Sequence, residues 1–518
     1  MQLPVPVLRL AIQWTATAAT LSMACNMAHA QATTDGTLSA QQAGVDQEAR
    51  QSQEVLASST TAQSEPTRAQ TTPATPSDRA PDFSALSDGN HAKDSEGHLR
   101  ELDRQLGLRG WNAPFFSYAG TLDQDVGGWR STLAKAGIGA VFYDIGASSI
   151  NMLNVPRHDP SGQQRYWGQV GSVYHTGNLQ LTYDLQQYGI PDGQFQFGYN
   201  TTYSTMDSFL PTGAAKLFRL AYYQSLFRRK IEFSAGYMSN TTTFVGTSVG
   251  GQLTNPFGPS SSITSELGMA GATAIAPTAW IKANFPRSIY TMFGVQRSIS
   301  PTGNAIYDDS IKNPSGWHFN EKGAKALYVV EIGQRRAASE GTPFSWLRGG
   351  MLYNTSQYQN FKTGRTSTNA AAFLLADRQI IMMSGTAPRR GLYLGASAMW
   401  AKPQNNVITQ YYEGRVYGFG LIRSRPDDMA SLVVQHNKIS RDYYGPIDES
   451  PDVRDDNNPL GEDPARTGLT SITASYQIVL THGLSATLGI SYVDHPSTRY
   501  FVDEGHAINF LGGFAIIL

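Results

Sequence analysis

Five charged side chains sit inside segments that otherwise alternate between apolar and polar residues: Asp184, Arg219, Glu232, Glu331 and Arg335. Asp184 shares its phase with Gln180 and Thr182, against Leu179, Leu181, Tyr183 and Leu185. Arg219 lies opposite in phase to Phe218, Leu220 and Tyr222, and Glu232 alternates with Ile231 and Phe233. Glu331 and Arg335 are both out of phase with Tyr328, Val330 and Ile332. Successive side chains of a strand point to opposite faces, so each charge belongs to the polar face. A charge on a lipid-facing barrel position costs about 2–4 kcal/mol at mid-depth, which assigns all five to the lining of a water-filled lumen. Lining charges set the local field that a passing solute meets. The same residues can pair across the wall and hold its shape, and the two roles are compatible.

The elements that must position them are strands. In residues 178–187 and 194–204 the alternation is strict, and Ile190-Pro191-Asp192-Gly193 between them is a tight-turn sequence. The rhythm continues to Leu518 and predicts an all-β fold, a transmembrane antiparallel β-barrel of about 16 strands. Strands are predicted, among others, over 231–238, 270–284, 376–384, 414–423 and 429–439. Short turns recur at 191–193, 228–230, 286–287, 340–342, 387–389, 426–428 and 481–483, and every other connection is read as longer. That alternation fits short periplasmic turns and long external loops. The last strand carries Ile508, Phe510, Gly512, Phe514, Ile516 and Leu518 on one face and runs to the final residue. It looks like a barrel-assembly signal in which Leu518 replaces the usual terminal aromatic.

Composition agrees. Beyond the N-terminus no stretch of the 518 residues approaches the roughly 20 apolar residues of a spanning helix. The mean hydropathy is -0.31. The 25 Tyr, 22 Phe and 8 Trp suffice for interfacial girdles, and a net charge of -1 gives no reason to expect nucleic acid as a partner. Residues 1–30 read as an export signal, with Arg9 before an apolar stretch and Ala28-His29-Ala30 as the cleavage site, so the mature chain is expected to begin near Gln31. Cys25, the only cysteine, falls inside that signal; a lipoprotein would need Leu where Ser22 stands. Residues 31–94 are a Gln, Ala, Thr, Ser and Pro-rich spacer expected to be disordered. Residues 95–137 are expected to form short helices at the periplasmic side: Leu99, Leu102 and Leu106 recur at helical spacing, and 129–136 precedes Gly137. The barrel itself occupies 138–518.

Several segments in order resemble the carbohydrate-selective porins of the OprB type. They begin at Gly128-Trp129-Arg130-Ser131-Thr132-Leu133-Ala134-Lys135-Ala136-Gly137-Ile138 and continue through residues 179–184 and Phe218-Arg219-Leu220-Ala221-Tyr222-Tyr223-Gln224, with Gly236 after them. The most distinctive piece is Thr243-Phe244-Val245-Gly246-Thr247-Ser248 followed by Asn255-Pro256-Phe257-Gly258. Val330-Glu331-Ile332-Gly333-Gln334 and Arg425-Pro426-Asp427-Asp428 fit as well. The resemblance covers the whole barrel. It implies passive uptake of carbohydrates across a bacterial outer membrane, with lipid and lipopolysaccharide around the wall and either a homotrimer or a monomer as the assembly.

Within that reading, residues 239–269 form the third external loop, which in many porins folds inward and narrows the channel. Phe244, Ser248, Asn255 and Phe257 are its candidate constriction residues. Hydroxyls and amides can replace a sugar's hydrogen bonds to water, and an aromatic ring can stack on a pyranose. An ordinary surface loop is the alternative. Gly246-Thr247-Ser248-Val249-Gly250 matches a nucleophile-elbow pattern but lacks the strand before and helix after that the chemistry needs. The acidic stretch 448–463 lacks EF-hand spacing, and the histidines are scattered. No catalytic residue, metal site or cofactor is therefore expected. A general diffusion porin and an envelope anchor using the spacer remain the rival functions, with a soluble secreted β-protein more distant.

Overall fold

The computed structural model describes residues 89–112, 116–153, 164, 166–206, 213–241, 243–245, 261–271, 274–301, 313, 316–384, 387–443, 468–494, 496 and 505–518. The predicted signal and most of the predicted spacer lie outside them.

Sixteen strands close into one antiparallel barrel: β1 (Ile138–Asn151), β2 (Ser172–Asp184), β3 (Gln194–Ser204), β4 (Gly213–Leu226), β5 (Ile231–Met238), β6 (Ala276–Phe285), β7 (Ile289–Arg297), β8 (Ala326–Arg336), β9 (Ser345–Gln359), β10 (Thr366–Met382), β11 (Gly391–Ala401), β12 (Ile408–Phe419), β13 (Met429–Ile439), β14 (Gly468–Thr481), β15 (Leu484–Asp494) and β16 (His506–Ile517). Each strand pairs with its sequence neighbours, and β1 closes on β16. The register there runs from Tyr143 opposite Ile517 to Asn151 opposite Asn509. The terminal Leu518 exchanges backbone hydrogen bonds with Phe142, so the last residue is part of the closure. A closed sheet leaves no backbone edge unpaired, as a spanning sheet requires.

The pleat sorts side chains as a membrane barrel must. On β3, Phe195, Phe197 and Tyr199 are exposed on the outer wall, while Gln194, Gln196 and Asn200 are buried inside. No described helix is long and apolar enough to cross a membrane; the strands do the crossing.

Two strand starts bear on the loop pattern. β10 starts at Thr366 and β12 at Ile408, earlier than the expected 376 and 414. The β9–β10 and β11–β12 connections, 360–365 and 402–407, are therefore as short as the turns at the other end, and the alternation of loop lengths is not strict. The cause lies on the inner face. Leu327, Val329, Leu352, Phe373, Leu375 and Met399 point inward there and join one buried apolar cluster with Phe244, Ile263, Leu267 and Met269 of the loop after β5. Where both faces of a strand are apolar, the period-two contrast vanishes.

Helix α1 (Gly89–Leu106) starts before the expected 95 and buries Leu99, Leu102 and Leu106 against Tyr118, Val141 and Tyr143. Its last turn is held to the inner wall: Thr182 donates through Oγ1 to the Leu106 carbonyl at 2.6 Å, and Gln194 through Nε2 to the Gly107 carbonyl at 3.1 Å. α2 (Trp129–Ala134) is the second expected helix. α3 (Ser261–Glu266), in the long β5–β6 connection, has no counterpart in the sequence reading.

Candidate functional site

The described parts of the β5–β6 connection, 239–241, 243–245, 261–271 and 274–275, pack inside the barrel. Asn240 and Thr241 donate backbone N–H groups to the Ala270 carbonyl, which pins the base of the loop. Its return arm is tied to the neighbouring wall. Asn354 on β9 donates to the Leu267 carbonyl at 2.6 Å, and Gln296 on β7 to the Gly268 carbonyl at 3.1 Å. Across the lumen, the Glu266 carboxylate accepts the Ile408 backbone N–H at 3.1 Å, reaching the start of β12. Glu266 keeps some accessible surface but sits deep in the barrel. Loss of solvent there pushes its carboxyl up to about 8, although the Ile408 and Val407 N–H groups favour the charged form.

A second chain segment enters from the other direction. After α1, residues 107–112 run into the lumen and meet the inward loop. Asn112 donates through Nδ2 to the Thr243 carbonyl at 2.6 Å, accepts Arg335 Nη1 on its own carbonyl at 2.7 Å, and faces Lys282 Nζ with Oδ1 at 3.4 Å. Trp111 packs edge-on against Phe218 and lies 4.9 Å beneath the Arg219 guanidinium.

The five charges all belong to the inner face, but they do not share one role. Glu232 and Arg335 keep accessible surface and line the cavity beside residues 107–112. Glu232 accepts from Tyr223 and from Asn284, each at 2.6 Å. Arg335 lies 4.5 Å over the Trp346 ring. Arg219 and Glu331 are inward-facing yet covered, at 1% and 0% exposure. Arg219 donates to Gln196 at 2.8 Å, and Glu331 accepts the Tyr290 hydroxyl at 2.6 Å. Asp184 is buried at the end of β2, where its backbone N–H meets the Gly137 carbonyl. Asp184, Arg219 and Glu331 thus belong to the inner face with their side chains covered.

Phe244 is covered as well. Its ring is 1% exposed and fits against Gly294 on β7, where an added Cβ would lie 2.4 Å from the ring tip. Arg348 donates to its carbonyl. Phe244 therefore anchors the loop and offers no ring face to a solute. Ser248, Asn255 and Phe257 lie outside the described residues.

The family model for carbohydrate-selective porins, the OprB family, matches residues 173–510, well over half of the chain. The chain belongs to the OprB family. A structure of Pseudomonas putida OprB at high pH superposes with a TM-score of 0.64 at 16% identity, covering 78% of this chain and 100% of that one. The complex of Salmonella typhi OmpF with daunomycin matches at a TM-score of 0.43 and 8% identity, covering 74% of this chain and 99% of that one. No curated protein sequence matches the chain. Family and fold are those of porins, which are transporters, and the family's carbohydrate selectivity accords with passive sugar diffusion.

The OprB-family barrel carries inner charges that the sequence reading passed over. Arg348 on β9 is buried, with its guanidinium 3.8 Å over the Trp346 ring that also carries Arg335. Trp346 donates to the Tyr290 hydroxyl at 3.0 Å, which completes a chain to Glu331. Next to this group, Arg415 on β12 is paired with Glu413 and, at 2.9 Å, with Asp377 on β10, which stands opposite Trp346 in the register, and Tyr417 donates to Asp377. Lys282, Arg348 and Arg415 all stand out of phase with exposed neighbours such as Ile281, Leu347 and Val416. The pleat argument that found Arg219 would have found these. No periodic signal marks Trp111 or Asn112.

Proposed function

We propose that this chain forms a water-filled channel in the bacterial outer membrane through which mono- or oligosaccharides diffuse passively, and that its selectivity is set where residues 107–112 meet the inward loop. The C-terminus and the β14–β15 turn then lie on the periplasmic side and the longest connections outside, with the outer apolar wall against lipid and lipopolysaccharide. Export by residues 1–30 leaves a mature chain that begins near Gln31.

One observation carries the reading. Asn112, inside the barrel, joins three elements: β6, β8 and the inward loop. The surroundings are donors and acceptors held by packing: Lys282, Arg335, Glu232 and Asn284. Such groups replace a sugar's hydration without demanding one fixed pose, and a solute that binds weakly can also leave. The experiment is liposome swelling with purified protein and a series from mono- to trisaccharides. Uptake that falls with sugar length far more steeply than free diffusion supports a sugar-sized constriction. Equal permeation by sugars and unrelated neutral solutes of the same size returns the chain to a general diffusion porin.

A further inference from the structure

Beside the constriction lies a cavity of about 1030 Å³, large enough for a sugar and its water. Its walls are unequally charged: six basic side chains against three carboxylates. Two of the carboxylates are already engaged. Asp103 accepts the Tyr118 backbone N–H at 2.7 Å, and Glu232 holds Tyr223 and Asn284. Of the basic groups, Arg104 pairs with Glu101 outside the cavity wall. Arg109, Lys282 and Arg335 lean on neutral groups instead: carbonyl oxygens for Arg109 and Arg335, and the Asn112 amide oxygen for Lys282.

Two donors are left over. Arg109 Nη1 is buried and meets no acceptor among the described residues. The Trp280 indole N–H, on the same wall and 4% exposed overall, likewise meets none. Buried donors without partners cost free energy unless something accepts from them. Their position is enforced by Gly110, where an added Cβ would fall 2.7 Å from Tyr223 and 2.9 Å from Trp280, so the N-terminal segment is pressed against this wall. A ligand that fits must accept several hydrogen bonds and carry negative charge, while its hydroxyls meet Asn284 and Glu232.

We infer that this cavity is a binding station for an acidic sugar, a monosaccharide bearing a carboxylate, held by Arg109, Lys282 and Arg335. The inference rests on the porin reading and narrows its substrate class. A carboxylate matches guanidinium donors bidentately, which a neutral sugar cannot do.

The test is single-channel current through the full chain in planar bilayers, with glucuronate, glucose and acetate each added as blockers. Glucuronate is expected to block at a concentration about ten-fold lower than glucose, the scale of one hydrogen bond to a charged group. Acetate, which has the charge without the sugar, is expected to block no better than glucose. Raising salt should shrink the advantage of glucuronate, because the screening length falls from about 10 Å at 0.1 M to about 3 Å at 1 M. In the double variant Arg109→Gln, Lys282→Gln glucuronate should block no better than glucose does in that same variant. The salt series on the wild type needs no variant, so a folding defect cannot mask the answer. Glucose and glucuronate blocking equally, or acetate matching glucuronate, overturns the inference and leaves the sugar channel standing. Neither sugar affecting the current overturns the sugar-channel reading beneath it and returns the chain to a general diffusion porin.

Discussion

The side-chain amide of Asn112 donates to the Thr243 carbonyl across 2.6 Å, joining residues 131 positions apart inside the barrel. One end of that bond belongs to the segment behind α1 and the other to the inward loop. Replacing Asn112 by Leu keeps its bulk and removes both hydrogen-bonding ends of the amide. The Thr243 carbonyl then loses its donor, a local cost of about 1–3 kcal/mol. Single-channel recordings should show higher conductance and more open-channel noise than the wild type. Identical conductance and noise would mean that the segment is held without this residue.

The seat of Phe244 gives a second prediction. Gly294 leaves room for the ring, and any side chain there collides with it at 2.4 Å. Gly294→Val suits a strand but expels the ring, so the loop should lose its anchor while the barrel persists. The expected result is a wider pore and weaker sugar block in protein that still migrates as a heat-resistant barrel. A Gly294→Val barrel with wild-type conductance would show that the loop is set by its other ties, at Leu267 and Gly268.

Glu266 makes the seating of the loop depend on pH. Its carboxyl is raised from 4.5 to about 8 by loss of solvent. A raised folded-state value means that the seated loop holds a proton the released loop gives up. The associated stabilisation is complete below about pH 4.5 and declines as pH rises towards 8, where the carboxyl ionises in place. Hydrogen exchange of residues 261–271 should therefore accelerate between pH 5 and pH 8 beyond the intrinsic rate of exchange. One proton released on opening corresponds to an acceleration of up to about ten-fold per pH step of one. Glu266→Gln should flatten that profile. An unchanged slope in the variant would assign the pH dependence to another group.

The barrel is legible in the sequence because most of its wall meets lipid on one side and polar lumen on the other. For β3, β5 and β13 the alternation gives the observed bounds to the residue, 194–204, 231–238 and 429–439. Legibility fails where the lumen is not wet. The first half of β10 carries Ala370, Ala371, Ala372, Phe373, Leu374 and Leu375, apolar on both faces because the inward loop packs against its inner side. Similarly, 270–275 reads as strand but belongs to the returning loop, with Ala270, Ala274 and Ile275 buried. For the site, the pleat places Arg219, Glu232, Glu331 and Arg335 on the inner face without distinguishing the covered from the open. Coverage depends on two non-repeating segments, 107–112 and the loop, whose contacts are long-range and leave no periodic trace.

In the proposed channel a sugar-sized passage beside Arg335 controls what crosses. The most direct measurement is single-channel conductance and reversal potential of heat-resistant wild-type and Arg335→Gln barrels under a salt gradient, with glucose and maltose added as blockers. Arg335 keeps exposed surface in the cavity, so removing its charge should shift selectivity towards cations, and the loss of its donors should weaken sugar block. Unchanged reversal potential and unchanged block in the folded variant, or a wild-type channel that no sugar blocks at any concentration, would contradict the account.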